Sequence, residues 1–199
     1  MPKLGMEPIR RAQLIDASME CIYQNGLAGT TISKVSRLAG VSTGVVNHYF
    51  GSKNQLLEAT MRELLKQISN DVISGTRSAK TSKEQLMAII DGNFTFEQVN
   101  PRSTNTWLAF WAEAMHEPTL ARLQRVNMRR LRSNLRHILK QLLPTKQALM
   151  AADGLAALID GLWLRGAFQS KGIDTDEAKN ICKNYVDLQL KYHIDNQTR

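Results

Sequence analysis

The chain has 199 residues and carries 26 lysines and arginines against 18 acids, a net charge of +8. This length allows one medium domain or two small ones with a buried core, and the charge suits a polyanionic partner without requiring one. The two cysteines, Cys21 and Cys182, are far apart and outside any Cys-x-x-Cys pair, which argues against a disulfide framework and a thiolate zinc site.

Targeting signals are not evident in the sequence. The start, "MPKLGMEPIRR", lacks the apolar core of a secretory signal. The most apolar later run, "GLAALIDGLWLRGAF", is interrupted by Asp160 and Arg165 and is too short to cross a bilayer. We therefore expect a cytoplasmic protein.

The first two predicted helices follow from apolar residues at i, i+3 and i+4 spacing. The first covers residues 9–24 and ends at Asn25-Gly26, a pair typical of a helix C-terminus. The second begins at a cap formed by Thr30 or Thr31 and ends at Gly40.

The remaining elements are also helical. Ser42 is expected to cap a short third helix that ends at Tyr49-Phe50, and a long fourth helix covers 52–74. The polar stretch 75–83 is predicted as a loop. Five further helices are expected over residues 84–99, 102–116, 119–143, 146–169 and 174–194. With no alternating strand pattern, the sequence predicts an all-α fold.

The second and third helices, joined by a tight turn at residues 39–41, have the pattern of a helix-turn-helix. We expect its inner face to consist of Ile32, Val35, Leu38, Val41, Val46 and Phe50. The outer face of the third helix would then be free to enter the major groove of DNA.

Residues on that outer face suit a DNA groove. Gly44 lets the backbone approach a base or phosphate closely, Thr43 offers a methyl and a hydroxyl, and Asn47 can bond bidentately to adenine. The predicted DNA-binding residues, including those expected to contact phosphates, are Thr31, Ser33, Ser42, Thr43, Gly44, Asn47, His48, Tyr49 and Lys53. Arg10 and Arg11 are expected in solvent, or alternatively at a flanking phosphate.

The stretch "TISKVSRLAGVSTGVVNHYFGSKNQLLEA" resembles the DNA-binding domain of the tetracycline-repressor (TetR) family over residues 9–61. The resemblance implies a homodimer, with helix 42–48 in the major groove of operator DNA and a C-terminal helical bundle that senses a ligand. It divides the chain into a three-helix DNA-binding domain, 1–68, and a ligand-binding and dimerisation domain, 69–199. Many members have tyrosine where this chain has Asn47, so the family's contact there cannot be transferred unchanged.

Further segments in both halves, "MPKLGM", "WLAFWAEAMHEP", "RRLRSNL" and "GLAALIDGLWLR", are similar to one branch of the family. This branch contains the choline-responsive repressors of the glycine betaine synthesis genes, which serve osmoprotection. The resemblance implies choline, or a similar small quaternary ammonium, as the inducer. The alternative is a repressor of multidrug efflux, or of another pathway, with a different ligand.

A quaternary ammonium has no N–H group to donate, so its site needs aromatic faces and a carboxylate. The candidate ligand-binding residues are Asp91, Phe94, Trp107, Trp111, Asp160 and Trp163. The alternative is that these aromatic residues only fill the core. Asp160 also has a second interpretation, as a carboxylate in a dimer-facing helix that needs a hydrogen-bonding partner.

An arginine row with no acid between Glu117 and Asp153 runs along the predicted helix 119–143. Its members are Arg122, Arg125, Arg129, Arg132 and Arg136. The pattern predicts a solvated basic face, and the alternative is a surface for a membrane or an anion.

No enzymatic motif stands out. The four histidines, His48, His116, His137 and His193, are scattered and form no His-Glu-x-x-His pattern. Neither a phosphate-binding glycine loop nor a Gly-x-Ser-x-Gly elbow occurs. We expect no enzyme activity, no cofactor and no metal.

Overall fold

The computed structural model of the chain describes residues 6–169 and 171–197, with side chains up to residue 194. This part contains ten helices and no strand, which confirms the all-α prediction. The helices are α1 (Met6–Gly29), α2 (Ile32–Leu38), α3 (Thr43–Phe50), α4 (Lys53–Ser78), α5 (Ser82–Asn93), α6 (Phe96–Val99), α7 (Pro101–Glu113), α8 (Pro118–Leu139), α9 (Thr145–Ala167) and α10 (Thr175–Gln197). Most of the "MPKLGM" segment, residues 1–5, lies outside the described residues.

The helices form two compact units. The first unit consists of the residues up to Leu65 together with Pro101–Leu123. Within it, α7 packs against α1. The second unit comprises residues 66–100 and 124–199. Helices α4 and α8 each contribute residues to both units. The two units therefore cannot be obtained by dividing the chain at a single position. The functional division at residues 68 and 69 stays a prediction.

A small apolar core holds the helix-turn-helix in the first unit. Its buried members are Leu14, Ala17, Cys21, Val35, Val46, Phe50 and Leu56. They come from α1, α2, α3 and α4, so the two short helices depend on their neighbours for stability.

The second unit is built around α9, which packs against α10, while α10 in turn contacts α5. By length and composition alone α9 is long and apolar enough to cross a membrane. Core helices of globular proteins pass the same test, and Ala152, Leu155 and Ile159 of α9 are buried in this unit. Cys182 of α10 is also buried, and burial raises the pKa of its thiol to about 12.

Helices α4 and α5 cross at very close range within the second unit. A Cβ atom at Gly92 would lie 2.8 Å from Val72 Cγ2 and 2.9 Å from the Val72 backbone nitrogen. At Gly75 a Cβ atom would lie 3.0 Å from the Cβ of Ala88. Glycine at these two positions therefore permits the close contact of the two helices.

The predicted loop over 75–83 is too long: residues 79–81 lie outside the helices, but α4 continues to Ser78 and α5 begins at Ser82. Polar side chains bond back to the helix itself: Thr76 Oγ1 donates to the Val72 carbonyl at 2.8 Å, and Ser78 Oγ to the Ser74 carbonyl at 3.0 Å. Serine and threonine side chains that bond in this way are compatible with a helix, although a polar segment of this composition is typical of a loop.

The single helix predicted over 84–99 is also wrong. Helix α5 ends at Asn93, and Phe94 has φ −130° and ψ 46°, outside the helical region. The side chain of Asn93 donates to the Ile89 carbonyl at 2.8 Å, and Phe94 is fully buried. Burial of Phe94 thus accompanies a break before the short helix α6.

Candidate DNA-binding face and ligand-site residues

The turn between α2 and α3 is fixed by backbone contacts. Thr31 caps α2, its Oγ1 accepting from the Lys34 backbone N–H at 3.2 Å. After α2 ends, Gly40 adopts φ 64°, and the Val41 N–H donates to the Ser36 carbonyl at 2.9 Å. A positive φ favours glycine, so this residue suits the turn.

Helix α3 separates buried from exposed side chains as predicted. Val46 and Phe50 are buried in the core of the first unit. The four residues predicted for the outer face, Thr43, Gly44, Asn47 and His48, are all exposed. One inner-face assignment is wrong: Leu38 is 42% exposed. The apolar stripe of α2 instead runs from the buried Val35 to the partly buried Ala39, the residue after the helix, because 3.6 residues per turn place position 38 beside that stripe.

The N-terminus of α3 presents groups able to hold a phosphate. Ser42 occupies the N-cap position, but its side chain makes no capping hydrogen bond. Its hydroxyl is exposed beside the first N–H groups of the helix. Backbone N–H groups and the helix dipole favour an anion at such an end. Thr31 and Ser33 are likewise exposed at the start of α2.

Lys53 and Tyr49 make contacts within the protein that the sequence does not indicate. The Lys53 ammonium donates to the Leu27 carbonyl at 3.1 Å, which leaves two of its three N–H donors. Tyr49 is half-buried, and its ring meets that of His48 edge-on with 5.3 Å between centroids. His48 itself remains exposed.

Arg11 is not a solvated side chain, in contrast to the expectation for it. Its Nη1 donates to the Tyr49 carbonyl at 2.7 Å, and its Cζ lies 4.5 Å from the centre of the Phe50 ring. The guanidinium therefore connects α1 to the end of α3. Arg10 donates to Gln13 at 2.9 Å on the surface of α1.

Among the ligand-site candidates of the second unit, the structure pairs Phe94 with Trp163. Both are buried, and their rings are stacked at 23° with 6.4 Å between centroids. The indole N–H of Trp163 donates to the Asn93 carbonyl at 3.2 Å. Asp91 forms an ion pair with Lys183 at 2.8 Å.

Asp160 on α9 is a half-buried carboxyl group. Burial raises its pKa from 3.8 to about 6. Within the described residues it has no hydrogen-bonding partner. The carboxyl group therefore takes up a proton at a higher pH than an exposed aspartate does, and a nearby cation would stabilise its ionised form.

Trp107 and Trp111 lie one turn apart on α7 in the first unit. Their ring centroids are 6.4 Å apart, and Phe110 meets Trp107 edge-on at 5.8 Å. Trp107 is buried and Trp111 half-buried. That all six candidate residues serve one ligand stays a prediction.

An all-helical chain that exposes the polar face of a helix-turn-helix belongs to the class of DNA-binding transcription regulators. Two family models match this chain: "Bacterial regulatory proteins, tetR family" over residues 14–60, and "BetI-type transcriptional repressor, C-terminal" over residues 82–191. The chain belongs to the TetR family, in its BetI-type branch. It is a cytoplasmic regulator and not an enzyme.

Relatives cover nearly the whole chain. It is 52% identical over 192 residues to the HTH-type transcriptional regulator BetI of Ectopseudomonas mendocina, covering 96% of this chain and 98% of that protein. The BetI regulator of Vibrio parahaemolyticus is 49% identical, with 97% and 98% covered. These similarities confirm the resemblance seen in the sequence.

Solved structures share the fold. A transcriptional regulator from Pseudomonas aeruginosa PAO1 superposes with a TM-score of 0.82 at 26% identity, covering 97% of this chain and 96% of that one. A regulator from Saccharomonospora viridis in complex with choline has a TM-score of 0.78 at 19% identity, covering 89% and 95%. The second similarity concerns the fold alone.

Proposed function

We propose that this chain is the choline-responsive repressor of glycine betaine synthesis genes and binds a pseudo-palindromic operator as a homodimer. The observation that carries the proposal is the BetI-type match over residues 82–191. The resemblance to the TetR family implies that this C-terminal half senses the ligand. The identity to BetI regulators over almost the full chain supports the same conclusion.

In this proposal α3 reads the major groove. Gly44 gives the strongest structural support: its φ is not positive, and among the described residues a Cβ atom there would meet only Ser42 Oγ, at 3.6 Å. No contact in this part of the chain therefore requires a glycine at this exposed position, whereas close approach of DNA does. Asn47 then contacts a base edge, while Ser42, His48 and Lys53 contact phosphates.

Homodimerisation is supported by two apolar stripes on α9 and α10, helices that pack together in the second unit. The stripes consist of Met150, Ala157 and Leu164 on α9 with Phe168 directly after it, and of Ile181, Leu188 and Tyr192 on α10. Phe168 is 78% exposed and Tyr192 is 67% exposed. A second copy that buried these stripes would form a dimer with two α3 helices, one for each half-site of an operator.

Choline recognition is proposed for the aromatic pair Phe94–Trp163 of the second unit, while Trp107 and Trp111 of the first unit stay separate candidates. A trimethylammonium group binds aromatic faces, and the carboxylates of Asp91 and Asp160 would balance its charge. The raised pKa of Asp160 fits this role, because a carboxyl group without a partner gains most from a cation.

The ligand signal is proposed to reach DNA through α4 and α7. Helix α4 begins directly after the helix-turn-helix and extends into the second unit. Helix α7 carries two of the tryptophans and packs against α1. Choline would shift the balance between two packings of these helices and so alter operator binding.

The test is a titration of the full-length protein on its operator, with and without choline. We expect choline to change the affinity or mobility of the complex and to change tryptophan fluorescence saturably. Betaine and a lipophilic drug are the controls. If choline at saturation leaves affinity and mobility unchanged, the choline response fails while DNA binding stands. A response to the drug alone would favour the efflux alternative.

A further inference from the structure

Helices α8 and α9 form a basic groove in the second unit, and none of its lining residues is assigned above to DNA or choline. The groove has a volume of about 500 Å³ and is lined by Arg129, Arg132, Ser133, Arg136, His137, Lys140 and Leu149. We propose that this basic groove binds adjacent phosphate groups, either of a free diphosphate-bearing solute or of a nucleic-acid backbone.

Two of its arginines are held in place by a single carboxylate. Arg132 donates from Nε and Nη2 to the two oxygens of Asp153 at 3.0 and 2.9 Å. Arg136 Nη2 lies 2.9 Å from each of the same oxygens. These contacts hold the pKa of Asp153 below its usual range. Because the guanidinium groups are already ordered, an anion loses less conformational entropy when it binds them.

The held arginines keep donors for a ligand. Arg132 uses Nε and Nη2 for Asp153, so its Nη1 remains available. Arg129 and Lys140 are exposed, and their side chains form no hydrogen bond or ion pair within the described residues. A guanidinium presents paired N–H groups that match the oxygens of a phosphate.

The charge of the groove favours a multivalent anion. Among the described residues, Asp153 is the acid that pairs with this set of Arg129, Arg132, Arg136 and Lys140, which leaves an excess of three positive charges. A single monovalent carboxylate would leave most of that excess uncompensated, whereas two adjacent phosphates would offset it.

A membrane surface fits the same helix poorly. A helix that lies on a bilayer inserts its apolar face among the lipids. The apolar residues Leu135, Ile138 and Leu139 of α8 are instead buried within the protein. The basic face is therefore the part of α8 that remains for a ligand.

The experiment is calorimetric titration of the full-length protein with inorganic diphosphate at about 0.15 M salt, where long-range attraction is screened. The test variant combines Arg129→Gln with Lys140→Gln, two side chains without internal partners. The matched control combines Arg77→Gln with Lys80→Gln, exposed cations of the same unit outside the groove. Both variants remove two positive charges.

We expect diphosphate to bind the wild type once per chain, to bind the groove variant at least tenfold more weakly, and to bind the control variant within twofold of wild type. Absence of binding to the wild type, or equal weakening in both variants, would overturn the proposal. So would binding to anionic phospholipid vesicles without binding to diphosphate.

A second arm distinguishes the two sources of phosphate. The same proteins are titrated with duplex DNA that lacks the operator. If the groove variant loses affinity for this DNA as well as for diphosphate, the source is the nucleic-acid backbone. If only diphosphate binding falls, the source is a free solute. Operator binding and the choline response of the groove variant serve as independent readouts of the proposed function.

Discussion

Arg102 Nη2 lies 2.6 Å from Asp16 Oδ1, and Arg102 Nη1 lies 3.8 Å from Glu20 Oε2. One guanidinium at the start of α7 is thereby paired with two carboxylates of α1. Helix α7 carries Trp107 and Trp111, and α1 packs against the helix-turn-helix. A change in α7 on ligand binding would therefore reach α1 through direct contacts.

The first prediction concerns this contact. Arg102→Gln should reduce the effect of choline on operator affinity by about 0.5–2 kcal/mol, because it weakens the link between α7 and α1. It should lower the free energy of unfolding by no more than about 1 kcal/mol, since the ion pair is partly exposed. The measurement is operator affinity with and without choline.

The control for Arg102 is Arg62→Gln, which removes the exposed pair of Arg62 with Glu58 in the same unit. An equal loss of choline response in both variants would contradict a specific role for Arg102. Exchange of the charges, Arg102→Asp with Asp16→Arg, should restore part of the response.

The second prediction separates stability from DNA binding at Gly44. Gly44→Ala should stabilise the protein by up to about 1 kcal/mol, because alanine favours a helix and meets only Ser42 Oγ there. The same change should weaken operator binding, since the added methyl group would hold the backbone away from DNA. Urea unfolding and operator affinity are measured on one preparation, and unchanged affinity would show that DNA does not approach this residue.

The third prediction concerns Asn47. Asn47→Ala should relax base preference at one operator position and weaken specific binding by about 1–3 kcal/mol if the amide makes a bidentate contact with adenine. Affinities are measured for the operator, for its single-base variants and for random DNA. His48→Ala is the comparison, because loss of a phosphate contact should weaken all sequences alike. Equal losses on operator and random DNA for Asn47→Ala would make Asn47 a phosphate contact.

The fourth prediction tests whether Trp163 binds choline or only fills the core. Trp163→Phe retains an aromatic face beside Phe94 but removes the donor to the Asn93 carbonyl. It should lower the free energy of unfolding by about 1–3 kcal/mol while choline still binds. Trp163→Leu should abolish choline binding, as it removes the aromatic face. Choline affinity is measured by calorimetry, and equal affinity for both variants would assign Trp163 to the core.

The fifth prediction follows from the pKa of Asp160, which burial raises to about 6. Between pH 4 and 6 the folded state binds more protons than the unfolded state, so stability should fall as pH rises through this range. The Asp160→Asn variant should lack this pH-dependent contribution to stability. Urea unfolding of both proteins without choline, at several pH values, measures the difference. Parallel pH profiles would show that Asp160 is not desolvated.

The helix-turn-helix was predictable because its signals are local. Thr31, Gly40 and the buried pair Val46 and Phe50 each act within a few residues of their position, and the structure confirms their assignments. Leu38 was misplaced, since position 38 lies at the edge of the α2 stripe and an apolar side chain alone cannot decide its burial.

Contacts between distant segments were not predictable from the same signals. Arg11 reaches the Tyr49 carbonyl across 38 positions of the chain. Nothing near Asp91 in the sequence indicates its pairing with Lys183. The break at Phe94 did have a local signal, because Gly92 and Asn93 both disfavour a helix interior. The low helix preference of these two residues alone does not end a helix; burial of Phe94 in the core accompanies the end of α5 here.

The crossing of α4 and α5 has a mechanical consequence. With Gly92 set against the backbone of Val72, and Gly75 against Ala88, no side-chain layer separates the two helices. The part of α4 around Val72 and Gly75 should therefore move together with α5, since the two backbones are in direct contact. A methyl group at Gly92 would have to displace Val72, backbone included, and would force this contact apart.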